Sequence, residues 1–102
     1  PIIVELWAHD EEDYQLFAEN LAWYGFVPRY GGVPATIPKH TIIQYFAPNF
    51  KESYNWLLSW VFQQSPANIE LISDNEYHAN YRVFLGTTAN PCLPQLEGPD
   101  TR

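Results

Sequence analysis

A histidine followed by four consecutive acids opens the stretch HDEEDYQLFAENLAWYGF at residues 9–26. Imidazole and carboxylate groups are metal ligands, and paired carboxylates can perform acid–base chemistry. A zinc site needs several convergent ligands, whereas neighbouring acids at the start of a helix point in different directions. No H-E-x-x-H or calcium-loop spacing occurs, and His40 and His78 lie elsewhere. The sequence therefore predicts neither a metal site nor a cofactor.

Helix capping explains most of these acids. Asp10 stands at an N-cap position, and Asp13 follows three residues later, where the first turn leaves backbone N–H groups without intrahelical partners. Each acid in such a turn contributes about 0.3–1 kcal/mol by facing the positive end of the helix dipole. Gly25 supplies a stop signal. Apolar residues recur at helical spacing between cap and stop, at Tyr14, Phe17, Ala18, Leu21 and Ala22.

Alternating and β-rich runs predict five strands, and a second helix lies between the third and the fourth. The predicted strands cover residues 2–8, 26–30, 41–47, 69–73 and 81–85, and Pro28 confines the second to a sheet edge. Asn49 and Glu52 form a predicted capping box for the second helix, which Pro66 ends. Its buried stripe is expected to consist of Tyr54, Leu57, Leu58, Val61 and Phe62.

This order predicts an α+β fold of the ferredoxin-like type, a split β-α-β sandwich with one added strand. We expect both helices to pack on one face of a mostly antiparallel sheet. The 102-residue length suits one domain, assigned to residues 1–86. Residues 87–102 contain three prolines and no sustained periodicity, and are predicted to form a surface tail.

The charge balance restricts the possible partners. Twelve acids against five bases give a formal charge of −7, which opposes contact with phosphate backbones and favours a basic protein surface. The single cysteine, Cys92, cannot form an internal disulfide, which suits a reducing, cytoplasmic location. No apolar run approaches the ~20 residues that span a bilayer, so no membrane association is expected.

The candidate partner-binding residues are acids and tryptophans. Trp56 and Trp60 lie one turn apart outside the predicted stripe; they either widen the core or anchor a partner. The sheet face opposite the helices should carry Ile3, Glu5, Trp7, Ile42, Gln44, Phe46, Arg82 and Phe84, and is apolar enough to form a homodimer or to be covered by the tail. The acids assigned to partner binding are Glu11, Glu12, Asp13 and Glu19, with a second group at Asp74 and Glu76.

Catalysis is the alternative. Glu5 and Glu70 could face each other across neighbouring strands as an acid–base pair, but surface carboxylates are usually not catalytic. The start PIIVELW, with a proline leading into a strand, resembles the tautomerase family, in which such a proline acts as a base. That resemblance implies a general base at Pro1 with Arg29 or Arg82 as the substrate-binding cation.

The sequence thus favours a non-catalytic acidic module over an enzyme. Its acids and aromatic anchors would occupy a basic site on another protein, such as a nuclease or a nucleic-acid-binding complex. By analogy of charge and size, phage anti-defence proteins and bacterial immunity proteins inhibit their targets in this way. Such a protein would act as a nucleic-acid mimic without binding nucleic acid itself.

Overall fold

The computed structural model describes residues 1–46, 52–74 and 76–90. Within them the predicted order of strands and helices is confirmed, and the strand ends lie within two residues of their predicted positions. The second helix ends at Val61, before the predicted stop at Pro66, which instead begins a short 3₁₀ helix. The elements are β1 (Ile2–Trp7), α1 (Glu11–Trp23), β2 (Phe26–Gly32), β3 (Ile42–Phe46), α2 (Glu52–Val61), a short 3₁₀ helix (Pro66–Asn68), β4 (Glu70–Ile72) and β5 (Tyr81–Phe84). Asn49, the predicted cap of α2, lies outside the described residues.

The five strands form one mixed sheet in the order β2-β1-β5-β3-β4. The α+β class is confirmed, but the prediction of mostly antiparallel pairing is wrong. β1 pairs with β2 and β5 in parallel, and β3 pairs with β4 in parallel. Among the described strands, only β3 and β5 pair in the antiparallel direction. The finer assignment to the ferredoxin-like sandwich stays a prediction.

Two helical crossovers account for the parallel pairs. A helix between two strands returns the chain to its starting end, so β1-α1-β2 and β3-α2-β4 each form a parallel unit. β5 then joins the two units by lying between β1 and β3. β2 and β4 are left as the outer strands, and Pro28 lies on the edge strand β2, as predicted.

Both helices pack on the same face of the sheet. The rings of Phe17 on α1 and Phe62 after α2 stack with centroids 5.3 Å apart above Val4, Leu6 and Val83. These strand residues are fully buried, and burial of each such side chain contributes about 1.5–3 kcal/mol. The predicted stripe of α2 is confirmed, with Leu58, Val61 and Phe62 buried and Tyr54 and Leu57 packed against them.

The first helix begins as its sequence predicts. Asp10 has extended backbone angles, and its Oδ1 accepts a hydrogen bond of 2.8 Å from the N–H of Asp13. Glu11, Glu12 and Asp13 occupy the first turn, where the helix dipole favours negative charge. The helix ends at Trp23, and Gly25 follows with φ +90°, a left-handed conformation that glycine adopts without strain.

Candidate functional site

The outward surface of α1 combines acids with exposed apolar side chains. Glu12, Leu16, Glu19 and Trp23 follow one another at intervals of three or four residues, so they form one stripe along the helix. This stripe points away from Phe17 and Leu21, which are fully buried. Leu16 is 40% exposed and Trp23 is 82% exposed, the largest value among the exposed large apolar residues that the structure describes. We call these four residues the α1 stripe.

A cleft lies beside the α1 stripe, between α1 and the edge strand β2. Its volume is about 390 Å³, and its walls are formed by Glu11, Tyr14, Gln15 and Tyr30. The two tyrosine rings meet edge to face with centroids 5.1 Å apart. Burial raises the pKa of Tyr14 above its ordinary value, although the nearby positive charge of Arg29 opposes that shift. The cleft therefore offers neutral aromatic walls and one carboxylate.

Charge is unevenly distributed between the surfaces of the molecule. Five of the twelve acids fall at residues 10–19, and the sequence of α1 contains no lysine, arginine or histidine. Two of the basic residues, Arg29 and Arg82, instead project from the sheet on the side opposite the helices. The acids of α1 therefore face no basic residue on the helix itself; the basic groups near it are His9 beside Asp10 and Asp13, and Arg29 near Tyr14.

The second predicted acidic group lies far from the first. β1 and β4 run in opposite directions through the sheet. α1 begins beyond the end of β1, whereas Asp74 and Glu76 follow the end of β4, so the two groups occupy opposite ends of the sheet. Both Asp74 and Glu76 are exposed, and the backbone N–H of Glu76 donates to Asp74.

The two tryptophans of α2 have different surroundings. Trp60 is half-buried, and its ring meets Tyr24 edge to face at 5.2 Å between centroids. Trp56 is 36% exposed.

Sequence reasoning missed Trp23 as a surface anchor. The helical spacing of the sequence could have identified it. Trp23 falls on the same side of the helix as Leu16 and Glu19, opposite the side that carries the buried Phe17 and Leu21.

His9, Asp10 and Asp13 form the cluster best suited to hold a metal among the described residues. One ligand atom from each lies within 4.8 Å of the others, and His9 Nε2 is 3.2 Å from Asp10 Oδ2 and 3.4 Å from Asp13 Oδ2. These distances also suit ion pairs with a protonated histidine, and Asp10 already caps α1. The start of the helix accounts for the position of the Asp10 carboxylate in this cluster.

The face of the sheet opposite the helices, here called the open face, has a polar row across all five strands. The strand registers align its members in the order Arg29, Glu5, Arg82, Gln44 and Glu70. Arg82 Nε donates to Gln44 at 2.8 Å, and Gln44 Nε2 donates to Glu70 at 3.1 Å. The predicted neighbours on this face are therefore brought together.

Glu5 is the buried centre of this face, with 5% of its surface exposed. Trp7 Nε1 donates to Glu5 Oε1 at 2.7 Å, the Tyr77 hydroxyl donates to the same oxygen, and His78 Nε2 contacts Oε2. Burial alone would raise the pKa of Glu5. The hydrogen bonds from Tyr77, Trp7 and His78, together with the charge of His78, outweigh burial and lower it.

Sequence reasoning missed Tyr77 and His78 because both lie in the polar segment before β5. No periodicity marks that segment as part of the sheet surface. The predicted pairing of Glu5 with Glu70 is wrong, since β5 and β3 separate their strands and place Arg82 and Gln44 between them.

The residues of the predicted proline site lie apart: Pro1 precedes β1, whereas Arg29 is on β2 and Arg82 is on β5. Arg29 and Arg82 are both in register with Glu5, four residues beyond Pro1. Four residues of strand correspond to about 13 Å. The tautomerase-like alternative stays a prediction without a geometric argument in its favour.

The fold and these surfaces define a small α+β protein with an acidic helix face. No family model matches the chain, and neither the curated proteins nor the solved structures show a significant match. In the described part of the chain, neither helix has both the length and the apolar character that crossing a bilayer requires.

Proposed function

We propose that this chain is a non-catalytic binding module that docks the α1 surface against a basic site on another protein. The observation that carries the proposal is the exposed Trp23, which lies on the same helical stripe as Glu12 and Glu19. Tryptophan dominates binding energy at many interfaces, and carboxylates beside it supply charge complementarity and faster association. The acids steer the partner, and Trp23 and Leu16 provide the apolar contact.

The cleft gives this docking a more specific chemistry. A guanidinium or ammonium group is attracted to the face of a tyrosine ring and to a carboxylate. Tyr30 is 55% exposed and Glu11 lines the same cleft. The cleft therefore receives an arginine or lysine side chain from the partner, while the α1 stripe covers the surrounding surface.

Inhibition is the proposed consequence. A basic groove that normally holds nucleic acid attracts the same negative surface, so the module competes with nucleic acid for that groove. Nucleases and nucleic-acid-binding complexes are the partner class, as for phage anti-defence and immunity proteins. A cytoplasmic location, a ferredoxin-like assignment and a homodimer through the open face are further predictions that this proposal does not require.

Capture with matched baits tests the proposal. Wild-type protein, the E12K/E19K variant and the D74K/E76K variant are immobilised and exposed to an extract of cells that make the protein. We expect a basic protein to bind the wild type and D74K/E76K but not E12K/E19K, and to be released by added nucleic acid. A captured protein without a basic surface, or one that nucleic acid does not displace, would contradict the inhibitory role.

A further inference from the structure

Residues 76–80 lie across part of the open face and are held there by side chains and backbone. The Tyr77 ring stacks on Phe46 with centroids 4.0 Å apart and 11° between the planes. Phe46 is 5% exposed although both helices of the described residues pack on the other side of the sheet. We call residues 76–80 the strap, because they cover an apolar residue of the sheet that would otherwise face solvent.

Backbone contacts fix the far end of the strap. The N–H of Asn80 donates to the carbonyl of Ile3 at 3.0 Å, and the N–H of Phe46 donates to the carbonyl of Asn80 at 3.0 Å. The Asn80 side chain accepts from the N–H of Ile3 at 2.9 Å. These three hydrogen bonds tie the strap to β1 and β3 at the start of β5.

The near end of the strap depends on one carboxylate. Tyr77 and His78 both contact Glu5, one at each oxygen, and Trp7 shares the oxygen that Tyr77 uses. A carboxylate accepts at both oxygens, whereas the protonated acid carries a hydrogen on one of them and loses its charge. Protonation of Glu5 therefore weakens the contacts with Tyr77, Trp7 and His78, because the negative charge is lost and one of the two accepting oxygens now carries a hydrogen.

We propose that the strap is a conformational latch, held closed over the open face by ionised Glu5 and released when Glu5 is protonated. Release uncovers Phe46 and takes Tyr77 away from the Arg82 guanidinium, which lies 5.1 Å from the centroid of Tyr77, 5.2 Å from that of Phe46 and 5.5 Å from that of Phe84. Arg82 keeps its hydrogen bond to Gln44 within the sheet. The open face then changes from a partly covered surface to an exposed apolar one with a cation at its centre.

The charged groups around Glu5 determine the pH range in which the latch opens. Arg29 on β2 and Arg82 on β5 are its register partners and carry positive charge on the same face. His78 contacts it from the strap and adds a favourable charge when protonated. Glu70 lies two strands beyond Arg82, and both Glu76 of the strap and Asp74 before it are exposed. The latch therefore holds at neutral pH and opens in acid.

Hydrogen exchange on the full chain tests the latch. Exchange of the Asn80 and Phe46 amides is followed from about pH 7 to about pH 3 and corrected for intrinsic rates. We expect their protection in the wild type to fall by at least about tenfold as Glu5 is protonated, because a hydrogen bond to a charged group is lost. The Leu85 amide, which donates to Trp7 at 2.9 Å, should change less and serves as the reference.

Two variants make the outcome decisive. E5Q should give low protection at Asn80 near neutral pH and no acid-dependent step, whereas E70Q, which removes an exposed carboxylate of the same face, should match the wild type. If E5Q does not fold, Y77F replaces it, since it removes the hydroxyl contact with Glu5 and keeps the ring on Phe46. Protection at Asn80 that is independent of pH in the wild type, or equal in E70Q and the Glu5 or Tyr77 variant, would overturn the proposal.

Discussion

Trp23 lies one helical turn beyond Glu19 on the outward side of α1, with 82% of its surface exposed. A tryptophan in this position buries little apolar area within the chain, so the fold does not explain it. An exposed indole beside carboxylates is typical of a contact surface. The proposed function depends on this relationship.

Replacing Trp23 should separate binding from stability. Trp23→Ala is expected to change the free energy of unfolding by less than about 0.5 kcal/mol, since the side chain is mostly in solvent. The same variant should weaken partner binding by about 2 kcal/mol or more, as loss of an interface anchor does. Urea denaturation and titration calorimetry with the captured partner measure the two effects.

Trp60→Ala is the matched control. Trp60 packs on the core and contacts Tyr24, so its truncation should destabilise the fold by more than about 1 kcal/mol and leave partner affinity nearly unchanged. If Trp60→Ala weakened partner binding and Trp23→Ala did not, the binding surface would lie on α2 instead of α1.

The N-cap of α1 provides a second prediction. Asp10→Ala should lower the free energy of unfolding by about 1 kcal/mol, because the N–H of Asp13 loses its acceptor. Asp10→Ser should restore most of that loss, since serine also caps helices. Equal stability of both variants and the wild type in urea denaturation would show that the cap contributes nothing.

Gly86 and Gly25 should respond differently to alanine. A Cβ at Gly86 would lie 2.5 Å from the backbone of His40 and Thr41, so the chain must shift. We expect Gly86→Ala to lower the free energy of unfolding by about 2–3 kcal/mol. A Cβ at Gly25 meets nothing within 4 Å, but its φ of +90° is left-handed, so about 1 kcal/mol is expected. Thermal denaturation of the two variants measures this order; a larger loss for Gly25→Ala would contradict it.

Glu5 should make stability depend on pH in the acid range. Its pKa in the folded protein is lowered, with burial opposed and outweighed by the hydrogen bonds from Tyr77, Trp7 and His78. Ionised Glu5 therefore stabilises the fold fully when the pH is above 4.5, the ordinary pKa of the carboxyl group. This stabilisation is lost as the pH falls through the lower pKa that Glu5 has in the folded protein. The wild type should exceed Glu5→Gln in stability at neutral pH, and the difference should shrink in acid.

Denaturation by urea at several pH values measures this dependence. Glu70→Gln is the control, since Glu70 is exposed at the sheet edge and its pairing with Gln44 survives as an amide contact. A difference between wild type and Glu5→Gln that stays constant from neutral to acidic pH would show that Glu5 titrates alike in the folded and unfolded chain.

Local patterns predicted much of the fold. Alternation along β1 placed Glu5 and Trp7 opposite the buried Val4 and Leu6, and the capping acids located the start of α1. Strand order was not predictable in the same way. Whether β5 lies beside β1 or at an edge depends on packing of both helices on one face, which no short segment encodes.

The candidate sites were predictable only in part. The acids of α1 were found because their composition is local, whereas Trp23 required comparison with the buried side of the same helix. The contacts of Tyr77 and His78 with Glu5 join residues more than seventy positions apart. Such contacts follow from the position of the strap on the sheet, which the sequence of a polar segment does not specify.

The most direct test of the proposed function compares two charge reversals of equal size. The dissociation constant of the captured basic partner is measured for E12K/E19K on α1 and for D74K/E76K at the opposite end of the sheet. The proposal predicts that the α1 reversal weakens binding by at least about tenfold, while the distant reversal has a much smaller effect that salt screens. Equal weakening by both variants, or none by E12K/E19K, would contradict docking through α1.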